Sequence, residues 1–353
     1  MRGFAGTMIG SGALLAATAA SAEPRVIRSV PVAPGGVYEL VFDPASNDVH
    51  IAAVGPMGGG QASLARLDGR TLAAEPGVAL GAEGVFGLGL NRRTRMAYGT
   101  DTRGGAVAVI DLAAGRVVAR ITDNAGAHLR EAIVDEGRNL VYVSAVGSPP
   151  GATPAQPNRI WVIDGAANRI ARTIDVETGG LTGIALDSAR NRLFGTGMMT
   201  HEVVVVDAAN GRTVARWPTG SQRPTNLVYD AAGNRLFVAS QASGDLTVMN
   251  AADGTVIRRV PTGAGALSVA WNPAVNQIYV TNREAGTLTV VDARTYAVLA
   301  NLPTGTHPQS IAIDPATNRV YVTNKRRMRP RDAAPGTPAP EDPNGDTLTL
   351  IEP

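Results

Sequence analysis

The sequence contains no cysteine, and this absence excludes several kinds of protein. None of its 353 residues can form a disulfide, a thiolate metal site or a haem attachment sequence. Aromatic residues make up only 4% of the chain, so the core must consist mainly of Val, Ile, Leu and Ala. The formal net charge is only +2, which provides no global field favouring nucleic acid or membranes. Lysine is also nearly missing, since Lys325 is the one lysine among 32 basic residues.

Apolar runs long enough to span a bilayer are missing too. The N-terminal apolar stretch is short and Gly-rich, follows the positive Arg2, and ends at Ala20-Ser-Ala22, which fits a small-x-small cleavage site. We therefore predict that residues 1–22 are a secretory signal peptide, with a buried N-terminal helix as the alternative. The protein is then expected to be periplasmic, with no membrane span after signal cleavage.

The sequence does contain a repeat, in which one unit occurs seven times. Acidic or amide residues recur at intervals of 42–52 residues and anchor the repeat, namely Asp43, Asn91, Asp135, Asp187, Asp230, Asn272 and Asp314. A repeat of about 40–45 residues built from short strands is typical of a β-propeller blade. The abundant glycine (41) and proline (23) suit the many tight turns of such a fold. The sequence predicts an all-β, seven-bladed β-propeller over residues 23–353.

Each unit reads as four strands. The first is a wholly apolar triplet before the anchor, such as Ile311-Ala-Ile313, and we expect it to be the innermost strand, buried on both faces. The anchor then opens a turn, because Asp and Asn side chains bond the backbone two residues on. Turn chemistry explains the recurring carboxylates better than calcium does, since each copy offers too few oxygens.

The seventh unit lacks an outer strand, because the chain stops at Pro353. The segment Arg25-Val-Ile-Arg-Ser-Val-Pro31 matches Thr255-Val-Ile-Arg-Arg-Val-Pro261, the outer strand of the fifth unit, almost residue for residue. We therefore predict that the N-terminal strand completes the last blade and closes the ring, which removes an open edge.

Three segments carry a family resemblance. Ile278-Tyr-Val-Thr-Asn282 and Val320-Tyr-Val-Thr-Asn324 resemble the repeat of the YVTN β-propeller family, and Thr306-His-Pro-Gln-Ser-Ile-Ala312 is similar to its YncE-like periplasmic branch. The resemblance implies a seven-bladed propeller of the bacterial periplasm. It also implies single-stranded DNA as a ligand, since the family has been associated with binding it. No catalytic activity is established for the family.

The repeat register places one set of side chains around one mouth of the channel. These are candidate ligand-binding residues: Tyr38, Phe86, Arg130, Glu131, Arg223, Asn226, Arg283, His307, Gln309, Lys325, Arg326 and Arg327. Two aromatic rings beside a guanidinium and a basic rim suit a sequence-tolerant single-strand binder. In the alternative, the two rings are core residues and Arg130 pairs with Glu39 or Glu131. The basic run from Lys325 then belongs to a flexible, Pro-rich loop at 325–344.

Catalytic and cofactor motifs are missing from the sequence. It shows no nucleophile elbow, P-loop or dinucleotide fingerprint, and four histidines are too few to predict a metal site. Glu39 and Glu131 are two blades apart, which argues against an acid pair.

We therefore predict a monomeric, non-enzymatic periplasmic binding protein without cofactor or metal. Its expected ligand is single-stranded DNA or another extended polyanion. One alternative is a lactonase-like hydrolase that uses Arg130, Glu131, Asn226 and His307. The other is a platform that binds proteins of the cell envelope.

Overall fold

The computed structural model describes residues 23–55, 60–123, 126–148, 155–328, 332, 337 and 340–353. The predicted signal peptide lies outside these ranges, as do positions 329–331 of the basic run. The described residues form 28 strands and one 3-10 turn at Ser188–Arg190. No helix in these ranges is long and apolar enough to cross a bilayer.

The strands form seven antiparallel sheets of four strands each. The chain begins with β1 (Arg25–Pro31). Blade one comprises β2 (Val37–Asp43), β3 (Asp48–Ala53), β4 (Ala62–Asp68) and β5 (Ala74–Gly81). Blade two comprises β6 (Gly87–Asn91), β7 (Met96–Asp101), β8 (Ala106–Asp111) and β9 (Arg116–Thr122). Blade three comprises β10 (His128–Asp135), β11 (Leu140–Val146), β12 (Arg159–Asp164) and β13 (Arg169–Asp175). Blade four comprises β14 (Leu181–Asp187), β15 (Arg192–Gly197), β16 (Glu202–Asp207) and β17 (Thr213–Pro218).

The remaining blades follow the same order. Blade five comprises β18 (Pro224–Asp230), β19 (Arg235–Ser240), β20 (Asp245–Asn250) and β21 (Val256–Pro261). Blade six comprises β22 (Ala266–Asn272), β23 (Gln277–Asn282), β24 (Thr287–Asp292) and β25 (Val298–Pro303). Blade seven comprises β26 (Pro308–Ile313), β27 (Val320–Asn324), β28 (Thr347–Glu352) and the N-terminal β1.

The ring closes as the sequence predicts. The first strand of each blade contacts the first strand of the next, and β26 contacts β2 to complete the circle. Strand β1 pairs antiparallel with β28 along its whole length, from Arg25 opposite Glu352 to Pro31 opposite Thr347. The seven-bladed propeller and its closure by the N-terminal strand are therefore confirmed.

The anchor residues make the turns that the sequence predicts. The Asp43 carboxylate accepts a hydrogen bond from the backbone N–H of Ala45 at 3.0 Å, and Asp314 does the same with Ala316 at 2.9 Å. Asp43 is also fully buried and accepts from Arg95 of the next blade at 2.7 Å. The anchors therefore set the local turn, and Asp43 also ties two blades together.

The inner strands differ from the prediction that they are buried on both faces. Val228, Ile311 and Ile313 are only half-buried, because they line the central channel. Complete burial belongs to second strands, such as β3 and β23, where every residue is buried. A second strand is covered on both faces by neighbouring blades, whereas an inner strand has one edge on the channel.

The Tyr-Val-Thr-Asn segment serves the fold. Tyr321 is fully buried in the core between blades. The hydroxyl of Thr323 donates a hydrogen bond to the backbone carbonyl of Tyr38 in blade one at 2.6 Å. The amide of Asn324 donates to the hydroxyl of Thr349 on β28 at 2.8 Å. The motif thus joins strands and blades through buried contacts.

Candidate functional site

A cavity of about 830 Å³ occupies the central channel. We call it the channel cavity. All seven blades contribute to its wall, which is the expected outcome of radial repetition. Nine of the twelve predicted site residues line it, namely Tyr38, Phe86, Arg130, Glu131, Arg223, Asn226, Arg283, Gln309 and Lys325. The repeat register therefore brings together residues that are far apart in the sequence.

The other three predicted residues lie elsewhere. His307 and Arg327 line a neighbouring cavity of about 410 Å³, which shares Arg283 with the channel cavity. The guanidinium of Arg326 lies 3.9 Å from the carboxylate of Asp346 and lines neither cavity. The basic run from Lys325 therefore does not converge on one cavity. The backbone N–H of Arg326 donates a hydrogen bond to Asp346, and that of Arg327 donates one to Asp342.

A β-bulge recurs at the same point of six inner strands and positions the site. The pairing register shifts between these residue pairs: Val37/Leu40, Leu129/Ala132, Leu181/Ile184, Pro224/Asn226, Ala266/Val269 and Pro308/Ser310. A bulge turns a side chain away from the regular alternation of a strand. In blade three, Ser144 of the second strand accepts a hydrogen bond from the N–H of Glu131 at 3.0 Å and so supports the bulge. The bulged positions carry Tyr38, Arg130, Glu131 and Gln309 on the channel wall.

Two aromatic rings and two cations form a layer at the mouth. The rings of Tyr38 and Phe86 meet edge to face, with centroids 4.7 Å apart. The ammonium of Lys325 lies 3.8 Å from the centroid of Tyr38 and donates a hydrogen bond to its hydroxyl. The guanidinium of Arg103 lies 5.4 Å from the centroid of Phe86. Each ring is therefore already in contact with a cation.

Lys325 departs from the alternative that placed it in a solvated loop. It follows directly after β27 and is only 7% exposed. Burial lowers the pKa of Lys325 to about 8, and the nearby Arg283 contributes in the same direction. The sequence did not reveal this, because Lys325 is the first residue of a run that otherwise looks like a surface loop.

Glu39 and Glu131 both line the channel cavity, where the repeat register places Glu131. Glu39 accepts a hydrogen bond from the N–H of Leu88 at 2.8 Å. Glu131, in blade three, accepts from the amide of Asn226 in blade five at 2.7 Å. Each of the two carboxyl groups thus has its own hydrogen-bond partner in the cavity wall.

These two carboxyl groups favour the protonated form. Burial raises the pKa of Glu39 to about 7. Burial also raises the pKa of Glu131 well above its usual value, and the negative charge of Glu39 adds to this shift. The pair therefore holds a proton near neutral pH, and the negative charge inside the cavity is reduced.

Four cations line the same cavity: Arg130, Arg223, Arg283 and Lys325. In the part of the chain that the structure describes, none of the four forms an ion pair, so the alternative pairing of Arg130 with Glu39 or Glu131 is not seen. Arg159, at the start of β12, pairs with Asp175 at 2.6 Å and lies outside the cavity. The mouth is a place where positive charge converges.

Histidines do not converge in this way. His50 is buried in β3, and burial lowers its pKa to about 4. His128 lines the channel cavity, whereas His307 lines the neighbouring one. Within the described ranges, no group of three or more His, Asp or Glu side chains could hold a metal ion.

Comparison with known proteins adds a partial match. No family model matches the chain. Over 140 residues it is 31% identical to the uncharacterized proteins YncE of Salmonella typhi and Salmonella typhimurium, and 29% identical to YncE of Escherichia coli K12. Each match covers 37% of this chain and 37% of the relative, so it spans little more than a third of those proteins. Together with the seven-bladed ring, these matches support a YncE-like propeller family for this chain.

Proposed function

We propose that this protein binds an extended anionic ligand at the mouth of its channel, without catalysis, and that the ligand is single-stranded DNA. The propeller fold and the YncE relatives fit a binding or interaction role. The observation that carries the finer proposal is the convergence of Arg130, Arg223, Arg283 and Lys325 on one cavity. The proposal places this role in the periplasm, on the pattern of residues 1–22.

The charges favour contact with phosphate groups over contact with bases. A cation already lies against each of the two rings, Tyr38 and Phe86, so a base must displace Lys325 or Arg103 before it can stack. Base stacking contributes about 1–3 kcal/mol per base where the ring is open. Phosphate contacts with arginine need no such rearrangement. We therefore expect binding to depend steeply on salt and weakly on base sequence.

The size of the cavity limits how much ligand enters it. About 830 Å³ lies within the range of typical small-molecule sites, roughly 300–1,000 Å³. A strand is thus expected to cross the mouth with its phosphates on the arginines, while only one or two nucleotides enter the channel.

Fluorescence anisotropy with a labelled oligonucleotide tests the proposal. The double variant Arg130→Ala, Arg223→Ala removes two cavity cations and should flatten the plot of log K against log salt by about 0.7 per lost phosphate contact. Arg116→Ala is the matched control, because Arg116 is exposed at the start of β9, on the opposite end of the ring. Absence of binding by the wild-type protein at about 50 mM salt, where the phosphate contacts are still strong, would reject the proposal.

The hydrolase alternative loses one of its residues to the neighbouring cavity. It requires Arg130, Glu131, Asn226 and His307 to act together, and His307 does not line the channel cavity. Glu131 is also engaged by the amide of Asn226. This geometry favours a binding role over acid–base work by the four residues.

A further inference from the structure

Lys325 is unusual because it is buried and because the sequence contains no other lysine. It is the sole lysine in the sequence, and it lies 7% exposed on the wall of the channel cavity. Lysine is almost never buried in this way without an acidic partner, because its ammonium is strongly hydrated. No ion pair of Lys325 occurs among the described residues. Binding of an anion explains one more cation at the mouth but does not explain why this one is buried.

We propose that Lys325 is a carbonyl-reactive amine, which forms an imine with small aldehydes or 2-oxo compounds that carry an anionic group. The channel cavity would hold the compound, and its arginines would bind the anionic group. This inference goes beyond charge-based binding, since that role uses the ammonium and imine formation uses the neutral amine.

The surroundings of Lys325 favour the neutral amine. The side chain is removed from water and lies near Arg283, and both effects lower its pKa to about 8. A lysine that is desolvated or placed beside another cation is a recognised form of activated nucleophile. Lys325 also lines a cavity of about 830 Å³. A small compound held in this cavity would therefore lie beside the lysine side chain.

Tyr38 completes the arrangement. Its hydroxyl accepts a hydrogen bond from Lys325 Nζ, so a proton can pass between the two groups. Burial raises the pKa of Tyr38, which keeps the phenol protonated at neutral pH. Tyr38 is therefore suited to give a proton to a leaving oxygen and to regain one from the nitrogen.

The reaction balances without an oxidant or a further reactant. The lone pair of Lys325 Nζ forms a bond to the carbonyl carbon, and one of the two N–H protons passes to the carbonyl oxygen to give a carbinolamine. The remaining N–H proton then passes to the hydroxyl, the nitrogen lone pair forms the carbon–nitrogen double bond as the carbon–oxygen bond breaks, and one molecule of water leaves. The product is an imine between Lys325 and the ligand, and the steps run in reverse on addition of water.

Reductive trapping tests the proposal on the full chain in its native state. The probe is glyoxylate with sodium cyanoborohydride at pH 7, and peptide mapping by mass spectrometry locates the adduct. Mapping separates Lys325 from the one other amine, at the N-terminus. A pKa of about 8 leaves roughly 200 times more neutral amine at pH 7 than an ordinary lysine at about 10.4. Allowing for hindered access, we expect native Lys325 to react at least about tenfold faster than the same residue in urea-unfolded protein.

Two comparisons sharpen the result. Propanal carries the same reactive group without the anion, so its native-to-unfolded rate ratio should be smaller than that of glyoxylate. Tyr38→Phe keeps the ring but loses the hydroxyl and should slow trapping, whereas Lys325→Arg should lose the mapped adduct. A native Lys325 that reacts no faster than the unfolded one would overturn the proposal. Equal native-to-unfolded rate ratios for glyoxylate and propanal would overturn the claim that the arginines bind the anionic group. Neither outcome depends on oligonucleotide binding.

Discussion

Replacing Glu39 with glutamine should remove a large pH dependence from the stability of this protein. Burial in the channel raises the pKa of Glu39 to about 7, whereas an ordinary glutamate has the reference value of 4.5. The folded state therefore holds a proton that the unfolded state releases between pH 4.5 and 7. The contribution of Glu39 to the free energy of unfolding is fully present below pH 4.5 and is lost as the pH rises through 7.

The size of the effect follows from the two pKa values. A change from 4.5 to about 7 corresponds to about 3 kcal/mol, at 1.4 kcal/mol per pH unit. Most of this falls between pH 5 and pH 8, so the wild-type protein should lose about 2–3 kcal/mol from this group over that interval. Glutamine keeps an acceptor for the N–H of Leu88 but cannot ionise.

The free energy of unfolding of the wild-type protein does not by itself test this, because His50 changes it with pH in the opposite direction. Burial lowers the pKa of His50 to about 4, so the folded state loses stability as the pH falls from 6.5 through 4. The two contributions overlap in the same pH window. His50 is present in both proteins, so the difference between wild type and Glu39→Gln cancels it.

Urea unfolding at pH 5 and pH 8 measures this difference. We expect Glu39→Gln to gain about 2–3 kcal/mol relative to wild type on going from pH 5 to pH 8. Glu284→Gln is the matched control, because Glu284 is exposed and borders the neighbouring cavity. If wild type and Glu39→Gln change in parallel between the two pH values, the inference that Glu39 holds a proton in the channel is refuted.

Three further predictions concern the ring and its mouth. Deleting residues 23–33 removes β1 from blade seven and the burial of Val32, and should cost at least about 3 kcal/mol, seen as a lower thermal midpoint. Thr323→Val leaves the Tyr38 carbonyl without its donor and should cost about 1–3 kcal/mol in urea unfolding, whereas Thr323→Ser should cost less. Arg283→Ala should weaken oligonucleotide binding in anisotropy, and Arg326→Ala should leave it unchanged, because Arg326 lines neither cavity.

The sequence predicted the ring well because the relevant signals are local. The anchor turn at Asp43 involves only the next few residues, and the match between residues 25–31 and 255–261 identifies an outer strand directly. A fixed repeat then gives the number of blades and the angular position of each side chain. These features need no knowledge of distances across the molecule.

The site was predicted only in part, because its chemistry depends on those distances. The register gave the angular position of Glu131 around the ring but not how far its side chain extends into the channel. The hydrogen bond between Glu131 and Asn226 was therefore missed. The burial of Lys325 depends on contact with Tyr38, a residue 287 positions away in the chain. A one-dimensional repeat contains no information about either contact.

The repeat itself also says little about the ligand, and the structure shows why. Residues of the repeated motif, such as Tyr321, Thr323 and Asn324, are buried and hold strands together. Several residues of the channel cavity occupy the bulged positions, where Tyr38 and Arg130 stand at equivalent places but share no chemistry. The residues that repeat between blades therefore hold the ring together, whereas ligand recognition depends on the positions at which the blades differ. A propeller of this kind can change its ligand without changing its repeat, which is why a shared motif does not by itself transfer a ligand from one member to another.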